Sequence, residues 1–238
     1  MPGERGDSYE GLQARFRPAV LGNLIRFDPL WNRSCRAYNL HARPDGACRD
    51  RLGAVQQELV DLDEPGLLLC PAASLHISLA SFLFIRAVYA EPKETLWALH
   101  GESWLRGLSQ LLDRIQPFTV SYQRVVVTDS AVLALAESSR QVNVIRAAVA
   151  ALRSTYGLDD VQPTTIHTTL FRFQAALKNP ARFLRAAERI WIGARFQVQE
   201  IVVTREELYP SLLTQDLSRV SLAPFKGASH SGEIDVAR

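Results

Sequence analysis

Leu75-His76-Ile77-Ser78-Leu79 and, about ninety residues further on, Ile166-His167-Thr168-Thr169-Leu170 carry one pattern twice: an aliphatic residue, histidine, any residue, a hydroxyl, leucine. Two short matches alone persuade little in a chain with 5 histidines. The surroundings add the weight. Both lie in β-branched and aromatic runs, Leu75 to Ile85 and Thr165 to Phe173, that read as strands. Both also occupy the same slot of a longer repeat: strand, helix, strand, helix, strand signals run from 34 to 128, recur from 131 to 204, and are followed by a closing strand at 218–222.

Residue identities support the duplication. The third strand of the first unit reads Val120-Ser-Tyr-Gln-Arg-Val-Val-Val-Thr128, and that of the second reads Phe196-Gln-Val-Gln-Glu-Ile-Val-Val-Thr204. Four of nine positions are identical, and the apolar phase slips at the same place in both, as at a bulge or bend. Helices are expected where apolar residues recur at three and four. Val142, Ile145, Val149, Leu152 and Tyr156 end at Gly157, and Phe183, Leu184, Ala187, Ile190 and Trp191 follow Asn179-Pro180. A third helix is expected around Leu52 to Leu62, and a fourth from Pro92 toward Ile115 with a break near Gly101. The fold class is therefore α+β: a duplicated two-lobe fold in which two pseudo-two-fold-related β-sheets form a central cleft, with helices packed outside. The organisation expected is an N-terminal extension over 1–33, a first lobe over 34–128, a second over 129–223 and a flexible tail over 224–238.

Composition narrows the function classes. With 27 Lys+Arg against 25 Asp+Glu, the chain is not expected to track along duplex nucleic acid, which takes many phosphate contacts. No apolar run approaches the length of a membrane span, and the first residues lack a secretory layout, so the cytoplasm is expected. Three cysteines at irregular spacing suggest neither a disulfide framework nor a metal motif. No H-x-H, H-E-x-x-H, P-loop, G-x-G-x-x-G or G-x-S-x-G occurs.

Strand geometry says what the paired motifs can do. Side chains alternate across a sheet, so His76 shares a face with Ser78, and His167 shares one with Thr169. Two such faces meeting in one cleft supply a base, an acid and two hydroxyl donors for non-bridging phosphate oxygens. Phe82 and Phe84 are expected on the His76 face, and Phe171 and Phe173 on the His167 face. Phe82, Phe171 and Tyr209 are candidates for stacking a base. In a regular strand Arg172 points away from His167. His41 is expected at the surface, with the cleft mouth as the alternative.

On these residues the chain resembles the two-histidine phosphoesterase superfamily, whose bacterial members are labelled 2′-5′ RNA ligases or RNA 2′,3′-cyclic phosphodiesterases. The resemblance covers roughly 34–223, including an arginine five residues after the second histidine. It implies catalytic roles for His76 and His167 and phosphate binding by Ser78 and Thr169. It also implies metal-independent hydrolysis of a ribose phosphodiester, foremost a 2′,3′-cyclic phosphate, with no cofactor. The alternatives are cleavage of linear 2′-5′ or 3′-5′ linkages and a binding module without chemistry. The expected partner is a nucleotide or RNA end, not long duplex nucleic acid or a membrane, and the chain is expected to be a monomer. Two departures from the family pattern are serine at position 78 and the preceding extension, which is long enough to reach over the cleft.

Overall fold

The computed structural model describes residues 8–62, 64–158 and 162–222; the expected tail at 224–238 lies outside them. In chain order the elements are α1 (Tyr9–Leu21), β1 (Ser34–Ala42), α2 (Gly46–Val60), β2 (Leu67–Leu69), β3 (Ile77–Leu83), α3 (Lys93–Leu112), β4 (Phe118–Val127) and β5 (Ala131–Ala136). They continue with α4 (Arg140–Ser154), β6 (His167–Phe173), α5 (Pro180–Arg189), β7 (Trp191–Val198), β8 (Glu200–Leu208) and β9 (Leu213–Ser221). Two antiparallel sheets result, ordered β3-β1-β8-β9 and β2-β6-β5-β4-β7. No helix among the described residues is long and apolar enough to cross a membrane.

The duplication appears in the hydrogen-bond register, residue for residue. On one side of β1, Asn39, Leu40, His41 and Ala42 face Ser81, Ala80, Ser78 and Ile77 of β3. On the corresponding side of β5, Ala131, Val132, Leu133 and Ala134 face Arg172, Phe171, Thr169 and Thr168 of β6. On the other sides, His41 faces Val202 of β8 and Leu133 faces Val126 of β4. These are the partners that the repeated Val-Val-Thr strands predict. The strands are exchanged, however. β4, from the first stretch, completes the second sheet, while β8, from the second stretch, completes the first. A boundary at 128/129 therefore divides the sequence repeat but not the sheets.

The shared phase slip has two outcomes. In β4 it is a register shift between Tyr122 and Arg124 within a continuous strand. At Gln199 it is a break, where the chain leaves β7 in one sheet and enters β8 in the other. One strand expected at 196–204 is thus two. Trp191, expected on the buried stripe of α5, instead opens β7 and is 53% exposed.

The other helices follow their caps and stripes. Ser139 and Asn179 accept hydrogen bonds from Val142 N and Arg182 N, ordering the first turns of α4 and α5. Val142, Ile145 and Val149 of α4 and Phe183, Leu184 and Ala187 of α5 are buried. The helix α3 runs unbroken through Gly101, where the glycine serves packing rather than termination. A Cβ there would lie 2.8 Å from the Trp97 indole, which in turn stacks on Tyr38 at 4.3 Å.

Buried arginines on α4 tie the two sheets together. Arg146 donates from Nε to Leu79 O in β3, and from its two Nη atoms to Thr164 O and Thr165 O just before β6. Arg153 donates to Phe82 O at 2.7 Å. Charged donors to carbonyls in a low-dielectric interior are among the stronger hydrogen bonds. They hold the two histidine-bearing strands in one relative position.

The helix α1 lies where no helix was expected, on the inner face of the second sheet. Ser8 caps it by accepting from Gly11 N. Leu12, with Tyr9 and Phe16 beside it, packs on Val126, Ala131, Leu133 and Leu135. Leu133 and Leu135 stand opposite Thr169 and His167, so the extension covers the apolar half of the cleft face. Leu12→Ala is expected to lower the unfolding free energy by about 2–4 kcal/mol, read by urea denaturation. Val144→Ala, at an exposed α4 position, is expected to change it by less than about 0.5 kcal/mol.

Candidate active site

Each histidine strand slips register three residues after its histidine, and β3 slips again at Phe82, between Asn39–Ser81 and Tyr38–Leu83. In β3 the shift falls at Leu79, between the pairs His41–Ser78 and Leu40–Ala80. In β6 it falls at Leu170, between Leu133–Thr169 and Val132–Phe171. An extra residue reverses the alternation of everything that follows. Ser81 and Arg172, five residues after their histidines, therefore return to the cleft face. Arg172 faces Ala131, a member of the cluster beneath α1.

The same slips carry the aromatics the other way. Phe82 stacks on Trp104 at 5.3 Å, and both it and Phe171 are 0% exposed in the main core. Phe173 is buried there too, and Phe84 lies against Arg153 of α4. Neither Phe82 nor Phe171 faces the cleft, because the strands are not regular. Tyr209 does stand at the site, but its ring lies 5.8 Å from Arg86 and 5.6 Å from Arg172 and is 7% exposed. It packs against cations rather than offering a free face to a base.

The motif residues His76, Ser78, His167 and Thr169 are each half-buried. Thr168, the polar residue on the helix side of β6, donates to His76 O at 2.9 Å and hydrogen-bonds Tyr122 Oη at 2.6 Å. That bond sets the His76 backbone directly against β6. His76 Nδ1 lies 2.7 Å from Ser74 O. A carbonyl only accepts, so Nδ1 carries the proton and Nε2 keeps its lone pair.

His41 belongs to this group and is not at the surface. It is 2% exposed, stacks on His76 with ring centroids 3.8 Å apart, and places Nδ1 3.3 Å from Thr204 Oγ1. The signal was available in the repeat, since His41 holds in β1 the slot opposite the motif hydroxyl. Its counterpart in β5 is Leu133, which α1 covers. Next to it, Asn39 accepts from Ser81 Oγ and donates to Glu206. One inner face is therefore polar and the other largely apolar.

Burial governs the electrostatics. Desolvation pushes His76 down to about 4, with Arg43 adding to the fall and the Ser74 carbonyl opposing it. Desolvation likewise takes His167 to about 4, helped by Arg172, His76 and Arg146 and opposed by the Thr165 carbonyl. His41 is held well below the usual imidazole range by burial and by the charge of His76. All three rings are neutral near pH 7, so the nitrogen lone pairs are available as bases. An incoming anion favours the protonated form and raises these values. A cavity of about 840 Å³ opens beyond Leu135, Thr165 and Ile166, between the first turn of α1 and α4, and includes neither motif histidine. Among the described residues no group of three or more His, Cys, Asp or Glu side chains is placed to hold a metal ion.

No family model and no curated protein matches the sequence. Solved structures match the fold. TT0787 of Thermus thermophilus superposes with a TM-score of 0.57 at 21% identity, over 79% of this chain and 99% of that one. LigT of E. coli in its apo form gives 0.52 at 17%, over 80% and 99%. The same protein complexed with 3′-AMP gives 0.53 at 15%, over 79% and 98%. The fold is the one these solved structures share.

The depressed imidazoles have a measurable sign. The unfolded chain takes up protons near 6.5, which the folded site refuses until about 4. Stability is therefore complete above about pH 6.5 and falls as the pH drops toward 4. In the free protein, side-chain NMR is expected to find His76 and His167 titrating near 4. Titration of either at the ordinary value near 6.5 contradicts this electrostatic account.

Proposed function

We propose that the chain is a two-histidine phosphoesterase that hydrolyses a ribose phosphodiester, foremost the 2′,3′-cyclic phosphate of an RNA end or a small nucleotide. The observation that carries the reading is the matched register of β3 and β6. In each, histidine, hydroxyl and the fifth residue share the cleft face. The solved 3′-AMP complex of the similarly folded LigT supports a nucleotide as the ligand class.

The chemistry follows from the groups present. Ser78 and Thr169 donate to the two non-bridging oxygens, where negative charge concentrates as phosphorus becomes five-coordinate. One imidazole removes a proton from water as its oxygen bonds to phosphorus. The other, protonated once the anion has raised its affinity for the proton, donates to the departing ribose oxygen. The P–O bond to that oxygen breaks, leaving a phosphate monoester and a hydroxyl. Nε2 of His76 has the lone pair for either duty. Arg172 adds a fixed positive charge on the same face. The scheme requires no metal.

His76→Ala and His167→Ala are each expected to lower turnover of 2′,3′-cyclic nucleotides by ~10²–10⁴, with melting temperatures near that of the parent and no response to EDTA. Product analysis should find a monophosphate. Undiminished turnover in either variant sinks the proposal, while shortening of linear oligonucleotides without ring opening transfers it to 2′-5′ or 3′-5′ linkages.

A further inference from the structure

Asp28, in the segment between α1 and β1, is a carboxylate that the extension brings to the cleft face of β6. Its side chain is 2% exposed. Nη2 of Arg86 donates to Oδ1 and Oδ2 at 3.0 and 3.1 Å, and Nη1 of Arg172 stands 3.7 Å from Oδ2. Oδ1 also accepts from Leu30 N at 3.1 Å. Arg172 reaches this position through the β6 register slip, and its Nε is buried with no hydrogen-bond partner. The charged and titratable groups around the carboxylate are thus Arg86, following β3, Arg172 and His167 on β6, Tyr209 after β8, and Glu206 on β8. Glu206 is bound by Asn39 and by Ser211 N, and burial raises its proton affinity.

The segment is fixed on both sides. Asn32 N donates to Tyr209 O, Tyr209 N donates to Arg33 O, and Arg26 pairs with Asp129 through side chain and backbone. Asp28 is therefore a standing part of the site's charge, and not a plug that swings away. Arg172, whose charge reaches His167, stands beside this carboxylate, which answers part of that charge. A carboxylate held there repels a doubly charged anion more strongly than a singly charged one. A phosphodiester carries one negative charge, whereas a phosphate monoester near pH 7 carries close to two.

We propose that Asp28 is a specificity-determining residue that tunes the cleft to a singly charged phosphodiester and against a doubly charged monoester, so that the product is released. The inference rests on the phosphodiesterase reading for its substrate. Between partly buried charges such repulsion is weakly screened.

The test is binding, which does not depend on turnover. Calorimetry at pH 7.5 compares 3′-AMP with its methylphosphonate analogue, in which a methyl group replaces one phosphate oxygen and leaves a single negative charge. In Asp28→Asn the affinity for 3′-AMP is expected to rise about tenfold and that for the methylphosphonate by less than about threefold. Asp28→Glu keeps the charge and is expected to retain the parent's ratio, which keeps the proposal testable if the asparagine variant folds poorly. Equal gains for both ligands, no gain, or a changed ratio in Asp28→Glu overturns it. If the parent binds these ligands but opens no phosphodiester, the hydrolase reading falls and the charge-selection result still stands. If the parent binds neither ligand, both fall.

Discussion

Everything in this molecule hangs on the pairing of exchanged strands. β4 crosses to β5, and β8 crosses to β1, so neither half of the chain can complete a sheet alone. Each sheet therefore needs the other half, and the two histidine strands are held against one another at the junction. Thr168 on His76 O and Arg146 on Leu79, Thr164 and Thr165 then lock that junction with hydrogen bonds that water does not reach easily. Independent lobes joined by a flexible linker would leave the separation of the imidazoles free. Here the backbone topology sets it.

On this symmetric frame the side chains are unequal. Where one unit carries His41, Asn39 and Ser81, the other carries Leu133, Ala131 and Arg172 in the same register. The polar set builds a hydrogen-bonded floor beside His76, which burial keeps neutral. The apolar set receives α1, and the single guanidinium supplies positive charge that Asp28 partly answers. A duplicated core thus yields a site with two unlike walls.

Much of this was legible in the residues, for physical reasons. The repeat, the two motifs and the helices capped by Ser139 and Asn179 follow from periodicities of two and three to four, which depend only on local backbone geometry. What periodicity does not carry is the register slip. Leu79 and Leu170 look like ordinary strand residues, yet each reverses the phase after it. That is why Arg172 enters the cleft and Phe82 and Phe171 leave it. Strand exchange was hidden for the same reason, because sheet membership is a long-range property. The helix α1 is hard to read from sequence because its apolar stripe is short and weak and its partners Leu133 and Leu135 lie more than a hundred residues away in the chain. His41 lacked the motif, but its slot in the repeat marked it.

The central claim is that both imidazoles address one phosphorus atom. The most direct measurement is a titration of the ¹⁵N-histidine-labelled protein with 3′-AMP, following the ring nitrogens of His76 and His167. The account predicts that both rings respond together, with one affinity and one equivalent of ligand, as a shared phosphate raises their proton affinities in step. A response confined to one ring, or two responses with separate affinities, would contradict it.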